Sequence, residues 1–391
     1  MISINEAIAL IEQNKELTNS ISLDIEKSLD YILAENIYCP INMPPFNQSA
    51  MDGFAINYNK NVSKYRIIGT LQAGKDPSTF QLKKGEAIRI FTGAAVPESC
   101  TSVIQQEWCD FNSKTLSFNK KIANNLNIRP SGEQLKKNML VLEKGALICA
   151  PSIGLLAGIG ISKIKVFEKP RIGIVITGDE LVPLKSKLTP GKIFESNSYL
   201  LNAALNQYGY SSVTTYKVKD DFVATKNIVD KALSENSIVL VSGGISVGDY
   251  DYVYKAISEI GVNDVFYKIN QKPGKPLYFG KLNTKAIFGL PGNPGSALTC
   301  FYIYVLPYLS QLNQRDSPIK KVSVCLEKEY TKKIGRGEFL KAVVSNGKAK
   351  ICKDQNSSML TAFIAANALL YIPGELETVG KERAVTAYLL L

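Results

Sequence analysis

Histidine is absent from this chain of 391 residues. Its absence excludes a Ser-His-Asp triad and any zinc site built on imidazole. Proton transfer then falls to Asp, Glu, Lys, Tyr or water. A metal here would be a hard cation held by carboxylates and substrate oxygens, most simply magnesium. The seven cysteines are widely spaced and include no C-x-x-C pair. They read as reduced, mostly buried thiols, which points to the cytoplasm. No apolar run reaches membrane-spanning length, so no membrane association is expected. The opening MISINEAIALIEQNKEL reads as an acid-containing amphipathic helix, not a secretory signal. The net charge is +11, from 46 Lys and Arg against 35 Asp and Glu. Such a balance suits nucleic acid, an anionic membrane surface or an anionic small molecule. The lysines are scattered in pairs, with no basic block and no interleaved aromatics, which argues against nucleic acid.

What is present is a repeated device. Three apolar, strand-like runs end in glycine turns beside polar groups: RIGIVITGDEL (171–181), SIVLVSGGISVGDYD (237–251) and KAIFGLPGNPGSAL (285–298). In an open parallel sheet these turns would gather at the carboxyl ends of the strands, where such folds bind ligands. Glycine lets backbone N–H groups approach an anion closely, so the middle of the chain is expected to hold a phosphate-like group.

The organisation follows from period and punctuation. A chain this long holds about two to four domains. Residues 1–39 read as helical, through INEAIALIEQN and SLDIEKSLDYILAENI. Residues 44–133 read as β-rich, with KYRIIGTL, EAIRIFTG and TSVIQQEW as strands. The stretch after residue 134, with PSIGLLAGIG and KIKVFE, is placed with the N-terminal residues. The expected domains are therefore 1–43 with 134–168, elongated and discontinuous, and an inserted β-rich domain at 44–133. A doubly wound α/β domain at 169–314 with a parallel sheet follows, and then a small β-barrel at 318–391. Strands of the third are RIGIVIT, SSVTTYKV, SIVLVSG, VFYKI and KAIFGL.

Four constellations carry chemistry. In SGGISVGDYDYVYKAI, a buried strand leads to Gly243–Gly244, with Gly248 beyond. Asp249 and Asp251 then lie where a helix begins. One aspartate serves as an N-cap; two beside a glycine nest suit magnesium bridging to phosphate. In KPGKPLYFG, Lys272 and Lys275 share a loop stiffened by Pro273 and Pro276. Surface lysines are usually only solvated, but this loop lowers their ordering cost and is expected to bind an anion. In GLPGNPGSAL, Pro291 and Pro294 bracket Gly292–Asn293, and the Ser296 hydroxyl is available as a helix cap or as an oxyanion ligand. In TGDEL, Asp179 and Glu180 follow a buried strand. Elsewhere, Asp52 in NQSAMDGFAI, TGAAVP (92–97), RPSGEQ (129–134), Arg336 between glycines in IGRGEF, and the paired serines of QNSSML each read singly as turns. Arg336 is the best placed of these to read a phosphate or other oxyanion.

These motifs, in this order over essentially the whole chain, resemble the MoeA-type molybdopterin molybdenumtransferases, which include the gephyrin E domain. The resemblance implies a four-domain, elongated homodimer with the active cleft shared between subunits. It also implies insertion of molybdate into adenylated molybdopterin with magnesium and release of AMP, and a molybdopterin adenylyltransferase as a possible partner. It places Lys272, Lys275, Ser296, Arg336 and Ser357 or Ser358 around molybdate. Asp52, Glu180 and Asp251 become acidic groups of the pterin–nucleotide site, and Asp220 or Asp221 a further carboxylate. Gly243, Gly244, Ser246, Gly248, Pro291 and Gly292 fall in its cofactor-binding segments, and Asp52, Glu180, Asp251 and Lys275 in catalytic roles. Two departures stand out. Gln134 follows Gly132–Glu133 where the family often has aspartate, and Ser358 stands where some members have glycine. Two other classes compete: a nucleotidyltransferase that adenylates molybdopterin, which would not need the extra β domains, and a non-enzymatic scaffold or carrier.

Overall fold

The computed structural model describes residues 1–245, 252–381 and 383–390. Contacts divide the chain into two compact units. One comprises Met1–Ile21, Asp30–Ile32 and Val166–Leu391; the other comprises Ser22–Leu29 and Leu33–Lys165.

The first unit contains a six-stranded sheet in the order Val213–Val218, Ile172–Thr177, Ile238–Ser242, Lys285–Leu290, Tyr278–Leu282, Asn263–Tyr267. Every residue of Ile172–Thr177 and of Ile238–Ser242 is buried, as expected of strands covered on both faces. Side chains alternate between those faces. Ile172, Ile174 and Ile176 join a core with the helices Asn197–Gln207 and Leu306–Leu312 and the N-terminal helix Ile4–Gln13. Val175, Val239 and Val241 face the helices Phe222–Glu235 and Tyr252–Ile260. The first four strands are parallel. Tyr278–Leu282 runs antiparallel to both neighbours, a departure from the wholly parallel sheet expected. Only Asn283–Thr284 separate it from Lys285–Leu290, with Asn283 at φ 52°, and so short a turn can only make an antiparallel hairpin.

The C-terminal strands close on themselves. Gly337–Ser345, Lys348–Ile351, Lys321–Leu326, Ala384–Leu389 and Ala368–Ile372 pair in sequence, and the last pairs back to the first. This is the small barrel expected, with the short helix Thr361–Ala365 added. Gln271–Lys272 pairs with Gly337–Glu338, so the lysine loop is built onto the barrel wall.

The second unit holds another six-stranded sheet, including Gly53–Ile56, Lys64–Leu71, Glu86–Ile90 and Ser102–Gln105, in agreement with the β-rich reading. The helical reading of residues 1–39 fails after Gln13. Ser20–Asp24 is a strand, and Asp30 takes φ 63°, which ends a right-handed helix. Beyond it, the backbone N–H groups of Leu33 and Ala34 donate to the Ala146 and Lys165 carbonyls. Long-range pairing satisfies groups that a helix would have bonded internally.

Candidate functional site

A cleft of about 1000 Å³ opens at the carboxyl ends of the parallel strands. Gly178 follows the first strand, Gly243–Gly244 the second and Pro291–Gly292 the third, and all line the cleft. Gly243 sits at φ 96°, and a Cβ there would stand 2.5 Å from the Thr177 carbonyl oxygen. A Cβ on Gly292 would lie 3.7 Å from the Gly243 Cα, so two of the turns are in contact. Asn197 ties them together: its side-chain N–H₂ donates to the Ser242 hydroxyl and to the Gly292 carbonyl, both at 2.8 Å. The helix bearing Asn197 is set by Glu195, a buried carboxylate that accepts from the Ser198 amide at 2.7 Å and from its hydroxyl at 2.5 Å. Burial pushes the Glu195 pKa up. The two Ser198 bonds and Lys217, 3.1 Å away, outweigh that and hold it below its usual value.

The lysine loop forms the next wall. Gln271 shapes it from beneath, donating to the Pro273 carbonyl at 2.9 Å and to that of Gly274 at 3.3 Å, and accepting from Tyr304. Gly274 is at φ 92°, where a Cβ would meet the Cys300 sulfur and the Gln271 amide nitrogen, each at 2.6 Å. Lys272 pairs at 3.1 Å with Glu338 of the barrel. Glu338 is buried and also accepts from the Tyr330 hydroxyl at 2.7 Å. Lys275 and Arg336 are exposed cations on the cleft wall without an ion pair among the described residues. The barrel also supplies Ser357 and Ser358. The Ser357 hydroxyl accepts from Asn293 at 3.0 Å and its carbonyl from the Ser296 amide at 3.1 Å. Thus Lys272, Lys275, Pro291, Gly292, Ser296, Arg336, Ser357 and Ser358 come together in one cleft.

Of the acidic residues, Glu180 lines the cleft, and so does Asp220. Asp220 accepts from the Thr177 hydroxyl at 2.5 Å and from the Asp179 amide at 3.1 Å. Of the two alternatives Asp220 and Asp221, Asp221 is not among the lining residues, and its carboxylate accepts from the Ala224 amide at 2.8 Å as the N-cap of Phe222–Glu235. Ser246, Gly248, Asp249 and Asp251 lie outside the described residues. Among the described residues no three Cys, Asp or Glu side chains cluster as a metal site. Magnesium keeps several waters and is commonly held by one or two carboxylates plus substrate phosphates. Glu180 and Asp220 fit that demand.

Asp52 belongs to the second unit. Its carboxylate accepts from the Thr92 amide and hydroxyl, both at 2.8 Å. Those bonds, helped by the Arg89 guanidinium, hold its pKa below the usual carboxylate value. Arg89 lies 4.9 Å from the Phe54 ring centre and donates to Gln106 at 2.5 Å. Two segments singled out in the sequence, NQSAMDGFAI and TGAAVP, therefore meet.

Three family models cover nearly the whole chain: the MoeA N-terminal region (domain I and II) over residues 2–160, a probable molybdopterin binding domain over 173–311, and the MoeA C-terminal region (domain IV) over 323–390. A molybdopterin molybdenumtransferase of Haemophilus influenzae is 33% identical over 399 residues, covering 99% of this chain and 98% of that protein. One from Staphylococcus epidermidis is 32% identical, covering 95% and 92%. The chain belongs to the MoeA family. The crystal structure of a molybdopterin biosynthesis MoeA protein from Pyrococcus horikoshii superposes with a TM-score of 0.85 at 30% identity, covering 100% of this chain and 99% of that one. The MoeA family is one of transferases acting in molybdenum cofactor biosynthesis, and its multidomain fold is the one described above.

Several shaping residues of this MoeA-family cleft were not singled out in the sequence. Glu195 and Asn197 sit in the segment ESN (195–197), where the helix Asn197–Gln207 begins. Gln271 and Glu338 act through partners as far as 66 residues away, a relation no local pattern carries.

Proposed function

We propose that this protein transfers molybdenum from molybdate into adenylated molybdopterin, with release of AMP. The observation that carries the proposal is the gathering of Lys272, Lys275 and Arg336 with three glycine turns in one cleft. Lys275 and Arg336 keep their charge for a ligand, and Lys272 is held at its post by Glu338. Arg336 offers a planar fork and the lysines point charges to the molybdate oxygens. Ser296 and Ser357 add hydroxyl contacts. Backbone N–H groups at Gly244 and Gly292 face the adenylate phosphates, where missing side chains permit close approach, while the Gly243 N–H donates to the Leu290 carbonyl at 3.4 Å and ties two of the turns together. Glu180 and Asp220 would hold magnesium, with Asp249 and Asp251 as further candidates from the sequence. When bound, that ion supplies charge neutralisation on the phosphates. The dithiolene sulfurs that take up molybdenum belong to the pterin, so a histidine-free protein suffices. Positioning and charge neutralisation provide the rate.

The reading extends to a four-domain homodimer in the cytoplasm, receiving adenylated molybdopterin from an adenylyltransferase and using Asp52 as an ionised acceptor. The seven free cysteines suit a reducing compartment. No described helix is long and apolar enough to cross a membrane. Incubation with adenylated molybdopterin and molybdate should release one AMP for each molybdenum incorporated. AMP release without metal incorporation, or adenylate formation from molybdopterin and ATP by this protein alone, would reject the assignment.

A further inference from the structure

Two lysines of the barrel region are buried without an ion pair among the described residues. Lys332 is 8% exposed and Lys341 1%. Lys281, equally buried, has Glu16 at 3.5 Å. Burying an unpaired ammonium is costly unless hydrogen bonds replace its water. Here the replacements are backbone carbonyls of cleft-lining loops. The Lys332 ammonium donates to the carbonyls of Lys333 at 3.2 Å, Arg336 at 3.2 Å and Gly374 at 3.1 Å. Gly374 is packed so tightly against this turn that a Cβ would stand 2.5 Å from the Gly335 oxygen. The Lys341 ammonium donates to the carbonyls of Asn356 at 3.0 Å and Asp354 at 3.4 Å. Its backbone exchanges two further bonds with the Gln355 side chain, both at 2.9 Å. The first turn carries Arg336; the second loop carries Ser357 and Ser358; all three line the cleft.

A methionine would fill either space without desolvating a charge, but it would hold no carbonyl. We propose that Lys332 and Lys341 are positioning residues for the oxyanion half of the cleft. Lys332 fixes the direction of the Arg336 guanidinium, and Lys341 fixes the serine pair. This rests on the molybdate-binding reading above and adds that oxyanion affinity is set by two cations that never touch the ligand.

The test uses the full chain carrying Lys332→Met, Lys341→Met, Lys332→Gln or Lys341→Gln. The molybdate KM and the adenylated molybdopterin KM are measured separately, with direct calorimetric titration of tungstate. Each methionine variant should raise the molybdate KM and the tungstate Kd about tenfold or more, through the loss of two or three hydrogen bonds from a charged donor. The KM for adenylated molybdopterin should stay within about threefold. The glutamine variants, which keep N–H donors, should recover part of the loss; should a methionine variant not fold, its glutamine counterpart decides. Molybdate KM and tungstate Kd within about twofold of the parent in folded variants would overturn the proposal. So would both KM values rising together in step with lost thermal stability. A parent protein that neither binds tungstate nor releases AMP would instead sink the functional reading itself.

Discussion

The doubly wound region and the barrel both wall the cleft, but they hold their loops by different means. On the doubly wound side backbone conformation does much of it, with the Asn197 and Gln271 side chains as ties. Gly243 and Gly274 take left-handed conformations with no room for a Cβ, and prolines stand at 273, 276, 291 and 294. On the barrel side buried side chains do it, with Lys332 and Lys341 gripping carbonyls up to 42 residues away. The first device is written in residue type at the site. The second is written elsewhere in the chain. A cleft can therefore be rigid on both sides while only one side advertises it locally.

The comparison can be broken most sharply at Gly243. Gly243→Val should cost about 1–3 kcal/mol of stability from the strained backbone and lower AMP release about 100-fold or more by displacing the phosphate-facing N–H groups. Near-normal turnover would show that the glycine turn is ordinary loop. Lys275→Ala comes next. Turnover at limiting molybdate should fall about 100-fold, while thermal stability moves by no more than about 0.5 kcal/mol because the side chain is exposed. Equal losses in stability and turnover would place Lys275 in the scaffold. Asn197→Ala removes two donors that join the glycine turns, and about 1–3 kcal/mol of stability should go with them. A tenfold drop in turnover, roughly, is expected alongside.

This asymmetry also governs what the sequence made legible. The three glycine turns and the KPGK loop could be read because positive φ and fixed proline φ are properties of the residues themselves. Lys332 and Lys341 could not, because a lysine in a β-rich segment reads as a solvated one. Asp220 and Asp221 are adjacent, and only the fold distinguishes the residue left at the strand end from the one consumed as a helix cap. The segment SLDIEKSLDYILAENI has helical spacing, yet Asp30 and the bonding of Leu33 and Ala34 to the distant Ala146 and Lys165 carbonyls override it.

Smaller effects sharpen the same contrast. Glu195 has a lowered pKa, so its contribution to stability is complete above the ordinary glutamate value and disappears as pH falls through the lowered one. Comparing thermal midpoints of the parent and Glu195→Gln between about pH 7 and pH 3 should give a constant gap near neutrality that closes in acid. A gap that widens in acid would mean the carboxylate is held protonated. Asp221→Ala should cost only about 1 kcal/mol as a lost cap and leave turnover within about twofold, whereas Asp220→Asn should lower turnover more than stability. Reversal of that order would restore Asp221 to the site.

The central claim is that the lysine loop, the glycine turns and the barrel's arginine and serines form one receptor for an oxyanion beside a nucleotide. Diffraction from crystals soaked with tungstate and AMP tests it directly, since tungsten scatters strongly enough to be placed without ambiguity. The account predicts the metal oxide within hydrogen-bond reach of Lys272, Lys275 and Arg336, with the AMP phosphate against Gly243, Gly244 and Gly292. Tungstate bound elsewhere, or AMP seated away from those glycines, would contradict it.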